Sequence, residues 1–123
     1  MRLFHSFKFA FCGFFSAMKS EKNLQIHAII SILVIIAGFF FRISVTEWLV
    51  VLLCIALVIS VELINTAIEK LSNFVCAEKN SKIGQIKDIS AAAVVFCAII
   101  SAVVGVMIFL PKFFKLFVVI NSY

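Results

Sequence analysis

Three apolar runs of spanning length, at about residues 24–41, 47–67 and 89–110, settle most of what this chain can become. A hydrocarbon core of about 30 Å is crossed by roughly 20 apolar residues of helix. Lipid offers no partner for backbone N–H and C=O groups, so such runs must close their hydrogen bonds within themselves, as helices. The segments between them are short: Arg42–Glu47 first, then Cys76–Asp88. The expectation is an all-α membrane protein of one domain, residues 1–123, with three transmembrane helices. The middle helix should continue past the hydrocarbon to about residue 75. With 64% hydrophobic and 14% charged residues, the chain lies far outside the soluble average.

The far end of the middle run carries the chemistry. In Val61-Glu62-Leu63-Ile64-Asn65-Thr66-Ala67-Ile68-Glu69-Lys70, the residues Glu62, Asn65, Thr66 and Glu69 stand at i, i+3, i+4 and i+7. On a helix they share one face, with Glu69 about 10 Å beyond Glu62 along the axis. An ionised carboxylate facing lipid costs several kcal/mol, so Glu62 should turn toward a bundle interior or a polar cavity. The plainer reading is a buried acid that pairs with a neighbour to fix helix packing. Two acids and an amide on one stripe at a lipid–water boundary point instead to a site.

Before the first span, residues 3–20 place Phe4, Phe7, Phe11, Phe14, Phe15 and Met18 at helical spacing, with Arg2, Lys8 and Lys19 interspersed. That pattern fits an amphipathic helix lying in the interface rather than a span. A signal peptide fits less well, because small-x-small cleavage spacing is poor and charge continues through Lys22. His27, near the polar start of the first span, reads as a satisfied interface residue rather than a ligand. Ser44 or Thr46 can cap the second span, and Trp48 is placed as an interfacial anchor. The third span should run from Ile89 to Leu110 and stop at Pro111, with Asp88 at its N-terminus, where an acid suits the helix dipole. Its small residues, among them Ser90, Ala98, Ser101, Ala102 and Gly105, permit close helix contact.

Lys and Arg are distributed as four before the first span, one in the first turn, four between the second and third spans, and two in the tail. The positive-inside rule then puts the N-terminus in the cytoplasm and the C-terminus outside. Glu21, Glu62, Glu69, Glu78 and Asp88 fall at the cytoplasmic boundary and only Glu47 opposite. Carboxylates near lysines at one face are what a metal–polyphosphate site requires. The basic excess, 11 Lys and Arg against 6 Asp and Glu, sits in the flanks of the spans, where it suits lipid headgroups or phosphates and not nucleic acid. The cysteines Cys12, Cys54, Cys76 and Cys97 lack zinc or redox spacing. No glycine-rich phosphate loop, H-E-x-x-H or G-x-S-x-G occurs.

The stretch Glu62-Leu63-Ile64-Asn65-Thr66-Ala67-Ile68-Glu69 resembles the E-x-x-N-[ST]-A-I-E core of the small prokaryotic diacylglycerol kinase family, which includes the undecaprenol kinases. Glu21 in EKNLQIH and Lys87-Asp88 in IKDISAAAV match the flanking motifs with their spacing intact, and the likeness runs from about Phe7 to about Pro111. It implies a lipid kinase of the bacterial inner membrane, a homotrimer whose active sites are completed by a neighbouring chain. By this resemblance Glu62 is the general base on the lipid hydroxyl, and Asn65 orients the site. Glu21 and Glu69 hold the Mg²⁺ that bridges the phosphates of ATP. Lys87 and Asp88 contact the nucleotide, Glu78 and Asn80 line its adenosine end, and Arg2 reaches phosphate. Two departures weaken the nucleotide details: Phe9 stands where some members carry tyrosine, and Asn80 where some carry histidine. EKNLQIH is closer to the undecaprenol kinase branch than to the diacylglycerol branch. Two other classes stay open on the residues alone. One is a non-catalytic oligomeric membrane protein; the other is a proton or ion pathway using Glu62 as relay.

Overall fold

The computed structural model describes residues 1–123 and consists of four helices: α1 (Arg2–Ser20), α2 (Lys22–Phe40), α3 (Val45–Val75) and α4 (Ser81–Asn121). There are no strands. The last three are each long and apolar enough to cross a membrane. α1 is exposed over nearly its whole length and buries only Ala17, as an interfacial helix would. Large apolar side chains cover the outside of α2, α3 and α4, and the few buried positions include Glu62, Asn65, Thr66, Ser72 and Ser90. That inversion is the signature of a chain whose solvent is lipid. The molecule is an all-α integral membrane protein.

Helix ends are set by local chemistry. Ser44 caps α3 through a capping box: its side chain accepts from the Glu47 N–H at 3.1 Å, and the Glu47 carboxylate accepts from the Ser44 N–H at 3.0 Å. α2 ends on a pair of reversed bonds, Arg42 N–H to the Phe39 carbonyl and Ile43 N–H to the Gly38 carbonyl. Such a cap needs a left-handed residue, and Arg42 takes it with φ 52° where glycine is usual. The turn between the two helices is pinned by close packing: a Cβ on Gly38 would lie 2.6 Å from the Trp48 ring.

α3 is the central element, with α2 and α4 packed on it and their own backbones apart. At about 1.5 Å per residue its 31 residues span some 46 Å, so its end projects beyond a hydrocarbon core of about 30 Å. α4, with 41 residues, is longer still. Here the structure departs from the sequence reading twice. Pro111 does not end the helix, which continues to Asn121. Proline removes one backbone donor, but contacts on both sides brace the site: Phe41 against Phe109, and Lys112 Nζ donating to Glu47 Oε2 at 2.9 Å. Nor is Asp88 at a helix N-terminus. α4 begins at Ser81, capped by Asn80, whose side chain accepts from the N–H groups of Lys82 and Ile83. Asp88 is exposed, two turns further on.

Candidate active site

The polar stripe of α3 faces inward. Glu62 is 3% exposed, and Asn65 and Thr66 are buried beside it, while Glu69 is half-buried toward the end of the helix. Burying a carboxylate within an apolar span is costly unless something answers its charge. The answer comes from α2: His27 Nε2 lies 3.3 Å from Glu62 Oε1. His27 is therefore no bystander at the interface, as its sequence position suggests; it is the closest charged or ionisable partner of the buried acid. The signal was its place one turn into a span that packs on α3, but nothing local ties it to Glu62.

A second polar chain crosses from α4. Ser90 Oγ donates to Asn65 Oδ1 at 2.7 Å, and Asn65 Nδ2 donates to Glu69 Oε1 at 3.3 Å. Every buried side-chain polar atom has a partner. Ser90 had been legible only as one small residue in a packing stripe. Glu21 sits in the single-residue break between α1 and α2, extended and half-buried. Its charge, like that of Glu69, reaches Glu62. The break between α1 and α2 and the far half of α3 thus bring three acids to one end of the bundle.

Could these residues hold Mg²⁺? No three His, Cys, Asp or Glu side chains converge into a cage. Mg²⁺ does not ask for one: it favours one or two carboxylates, with waters and substrate phosphates supplying the remaining oxygens. Glu21 and Glu69 are hard oxygen donors outside the apolar span, and Glu69 has one oxygen held by Asn65 and the other uncommitted. The donor set fits the ion.

Beyond the stripe, the loop after α3 and the start of α4 form an open hollow of about 410 Å³ lined by Glu78, Lys79, Asn80, Gly84 and Lys87, among others. Three residues expected near a nucleotide, Glu78, Asn80 and Lys87, are brought together there. Lys87 Nζ donates to Asn73 Oδ1, a partner on α3 that the sequence did not single out. Asp88 points to solvent without a partner, and Asn80 spends its side-chain oxygen on capping α4. Arg2 and Phe9 are exposed and lie about 28 Å and 18 Å along α1 from Glu21, at helical rise. Within one chain these two do not join the rest.

On the membrane side a second cavity, of about 340 Å³, opens between α2, α3 and α4. Val51, Val58, Ala102 and Gly105 are among its walls, and His27 and Ser31 mark its polar end. His27 both lines this apolar cavity and touches the buried carboxylate. A hydrocarbon chain and a reactive polar group would meet at that point.

Comparison with known proteins places the chain in a family. Over 111 residues the chain is 38% identical to the undecaprenol kinase of Bacillus subtilis, covering 90% of each sequence. Over 114 residues it is 31% identical to the diacylglycerol kinase of Synechocystis sp., covering 92% of this chain and 65% of that one. The pattern of the prokaryotic diacylglycerol kinase family matches residues 8–109, taking in all three polar blocks. The chain belongs to the prokaryotic diacylglycerol kinase family and is an enzyme of the lipid-kinase class.

Proposed function

We propose that this protein transfers the terminal phosphoryl group of Mg-ATP to the hydroxyl of a membrane lipid alcohol at the cytoplasmic face of the bacterial inner membrane, with undecaprenol preferred to diacylglycerol. The observation that carries the lipid acceptor is His27, which closes the polar end of an apolar intramembrane cavity and lies 3.3 Å from the buried Glu62. A lipid that lays its tail in that cavity presents its hydroxyl to the carboxylate. The preference for undecaprenol rests on the EKNLQIH block and on the likeness to an undecaprenol kinase.

Phosphoryl transfer is chiefly a matter of position and charge. Glu62 accepts the proton of the attacking hydroxyl, and its burial keeps water from competing for that role. Asn65 holds the site in register through its contacts with Ser90 and Glu69. Glu21 and Glu69 would hold the Mg²⁺, which supplies charge neutralisation to the phosphates. The loop cavity with Glu78, Asn80 and Lys87 receives the nucleotide, and Lys87 turns from Asn73 to the phosphates. Asp88, exposed beside it, is the remaining contact from α4. Arg2 and Phe9 reach a nucleotide only if another chain's α1 is laid beside this site, and the family resemblance implies the assembly that would do so, a homotrimer with shared sites. The N-terminus is cytoplasmic, following the distribution of Lys and Arg.

The test is an assay of purified protein in mixed micelles with labelled ATP and Mg²⁺, offered undecaprenol, diacylglycerol or glycerol. Undecaprenol should be phosphorylated fastest, and glycerol, which gains nothing from the cavity, poorly. Vigorous turnover of glycerol, or a diacylglycerol rate well above that of undecaprenol, would reverse the ranking. Absence of any lipid product would remove the proposal.

A further inference from the structure

Ser90 is buried on α4, in the first part of the span, and its hydroxyl crosses to α3. The direction of the chain it starts is fixed by chemistry. An ionised carboxylate can only accept, so the Asn65 atom facing Glu69 must be the amide nitrogen. The carbonyl oxygen of Asn65 therefore faces Ser90, and Ser90 must donate. Ser90 to Asn65 to Glu69 is then a one-way series in which each donor polarises the next. Its last bond is the longest, 3.3 Å against 2.7 Å, so the amide is anchored at the Ser90 end and hands its orientation to Glu69.

We propose that Ser90 is a positioning residue for the metal-side carboxylate. By fixing the Asn65 amide it holds Glu69 Oε1 and leaves the other oxygen turned to the cation. This rests on the reading of Glu69 as a Mg²⁺ ligand given above. Without the hydroxyl, Asn65 Oδ1 is a buried acceptor with no partner, and the amide is free to rotate and release Glu69. Ser90 also lies one helical turn from Lys87, which contacts α3 at Asn73. The start of α4 is thus latched to α3 at two points, and only the deeper of them leads to the cation.

The isosteric pair Ser90→Thr and Ser90→Val separates hydroxyl from volume, with Ser90→Ala as a third variant. The readout is binding of a fluorescent ATP analogue as Mg²⁺ is titrated, with no lipid acceptor present. Loss of one buried hydrogen bond should raise the Mg²⁺ half-saturation of the Val and Ala variants by about five- to tenfold, and Thr should stay close to wild type. A purely structural latch predicts something else: Val and Ala lower the melting temperature in detergent while the Mg²⁺ half-saturation stays at the wild-type value. That result overturns the proposal. So does failure of both hydroxyl-free variants to assemble while Thr assembles, since the contact then belongs to folding. Nucleotide binding by the wild type that ignores Mg²⁺ would sink the metal reading itself, and is seen before any variant is compared.

Discussion

Toward the two ends of its apolar stretch, residues 47–67, α3 pairs an acid with a base from another helix, and the pairs are otherwise unlike. At one end Glu62 is 3% exposed and meets His27 from α2. At the other, Glu47 is roughly a quarter exposed and meets Lys112 from α4. Glu47 also belongs to a capping box, so its place is accounted for by helix initiation and by the α4 contact. Glu62 starts no helix and caps nothing. A buried ion pair adds little to stability over an apolar substitute, because desolvation consumes the attraction. An acid kept in such a place, aligned with Asn65 and Glu69 and touching a histidine that lines the apolar cavity, is what the proposed base role asks for. On the proposed function, the Glu47 end, here the outer one, holds the helices, and the Glu62 end, the inner one, works.

The largest effect should follow from neutralising the inner acid. Glu62→Gln keeps the shape and can still meet His27, but it cannot accept a proton. Turnover should fall by roughly 10²- to 10⁴-fold, the usual cost of removing a general base. Nucleotide binding should be nearly unchanged, since Glu62 is not assigned to the metal. Near-normal turnover in steady-state kinetics would make Glu62 a packing residue after all and erase the contrast between the two ends.

Much of this was visible in the sequence, and the missing parts share one cause. Periodicity within a helix is local, so the three spans and the Glu62–Asn65–Thr66–Glu69 face can be read directly, as can a cap from Ser44 or Thr46, of which the structure uses Ser44. Contacts between helices leave no local pattern. Hence His27 reads as an interface residue, Ser90 as a packing residue, and Asn73 as nothing in particular, although each touches a site residue. Pro111 misled for a related reason. A proline stops an isolated helix, but this one is braced before and after by Phe41 and Glu47, which come from elsewhere in the chain. Arg2 and Phe9 show the limit of a single chain: family likeness gives them a nucleotide, and α1 carries them away from it.

The second prediction divides the inner end itself. Glu69→Gln removes a hard anionic oxygen donor, so Mg-dependent nucleotide binding should weaken together with turnover, and added Mg²⁺ should recover part of both. Isothermal titration with Mg-ATP distinguishes the two variants. If Glu62→Gln and Glu69→Gln lose nucleotide equally, the inner acids act as one unit and have no separate roles.

At the outer end the effects should fall on stability instead. Gly38→Ala places a Cβ 2.6 Å from the Trp48 ring and 3.2 Å from Ile43. Overpacking of this kind costs about 1–3 kcal/mol, against about 1 kcal/mol regained from the helix preference of alanine over glycine. The net should be a lower melting temperature in detergent, with turnover per assembled molecule retained. An unchanged melting temperature would mean that Trp48 moves aside freely and that the turn is looser than its caps imply.

The smallest effect should come from Lys112→Met. Lys112 donates to Glu47 Oε2, whereas the capping box uses Glu47 Oε1 on the Ser44 N–H, so the substitution cuts the interhelical contact and spares the cap. Partly exposed pairs contribute little, because water and salt already screen them. Methionine also keeps an unbranched stem, so the change removes the charge and little of the volume. Turnover should stay within roughly twofold of wild type, and the melting temperature should move less than in Gly38→Ala, by a shift that shrinks as salt is added. Activity lost on the scale of Glu62→Gln would mean that the far side of the membrane takes part in the reaction. That single result would undo the division of α3 into a holding end and a working end more thoroughly than any change at Glu62.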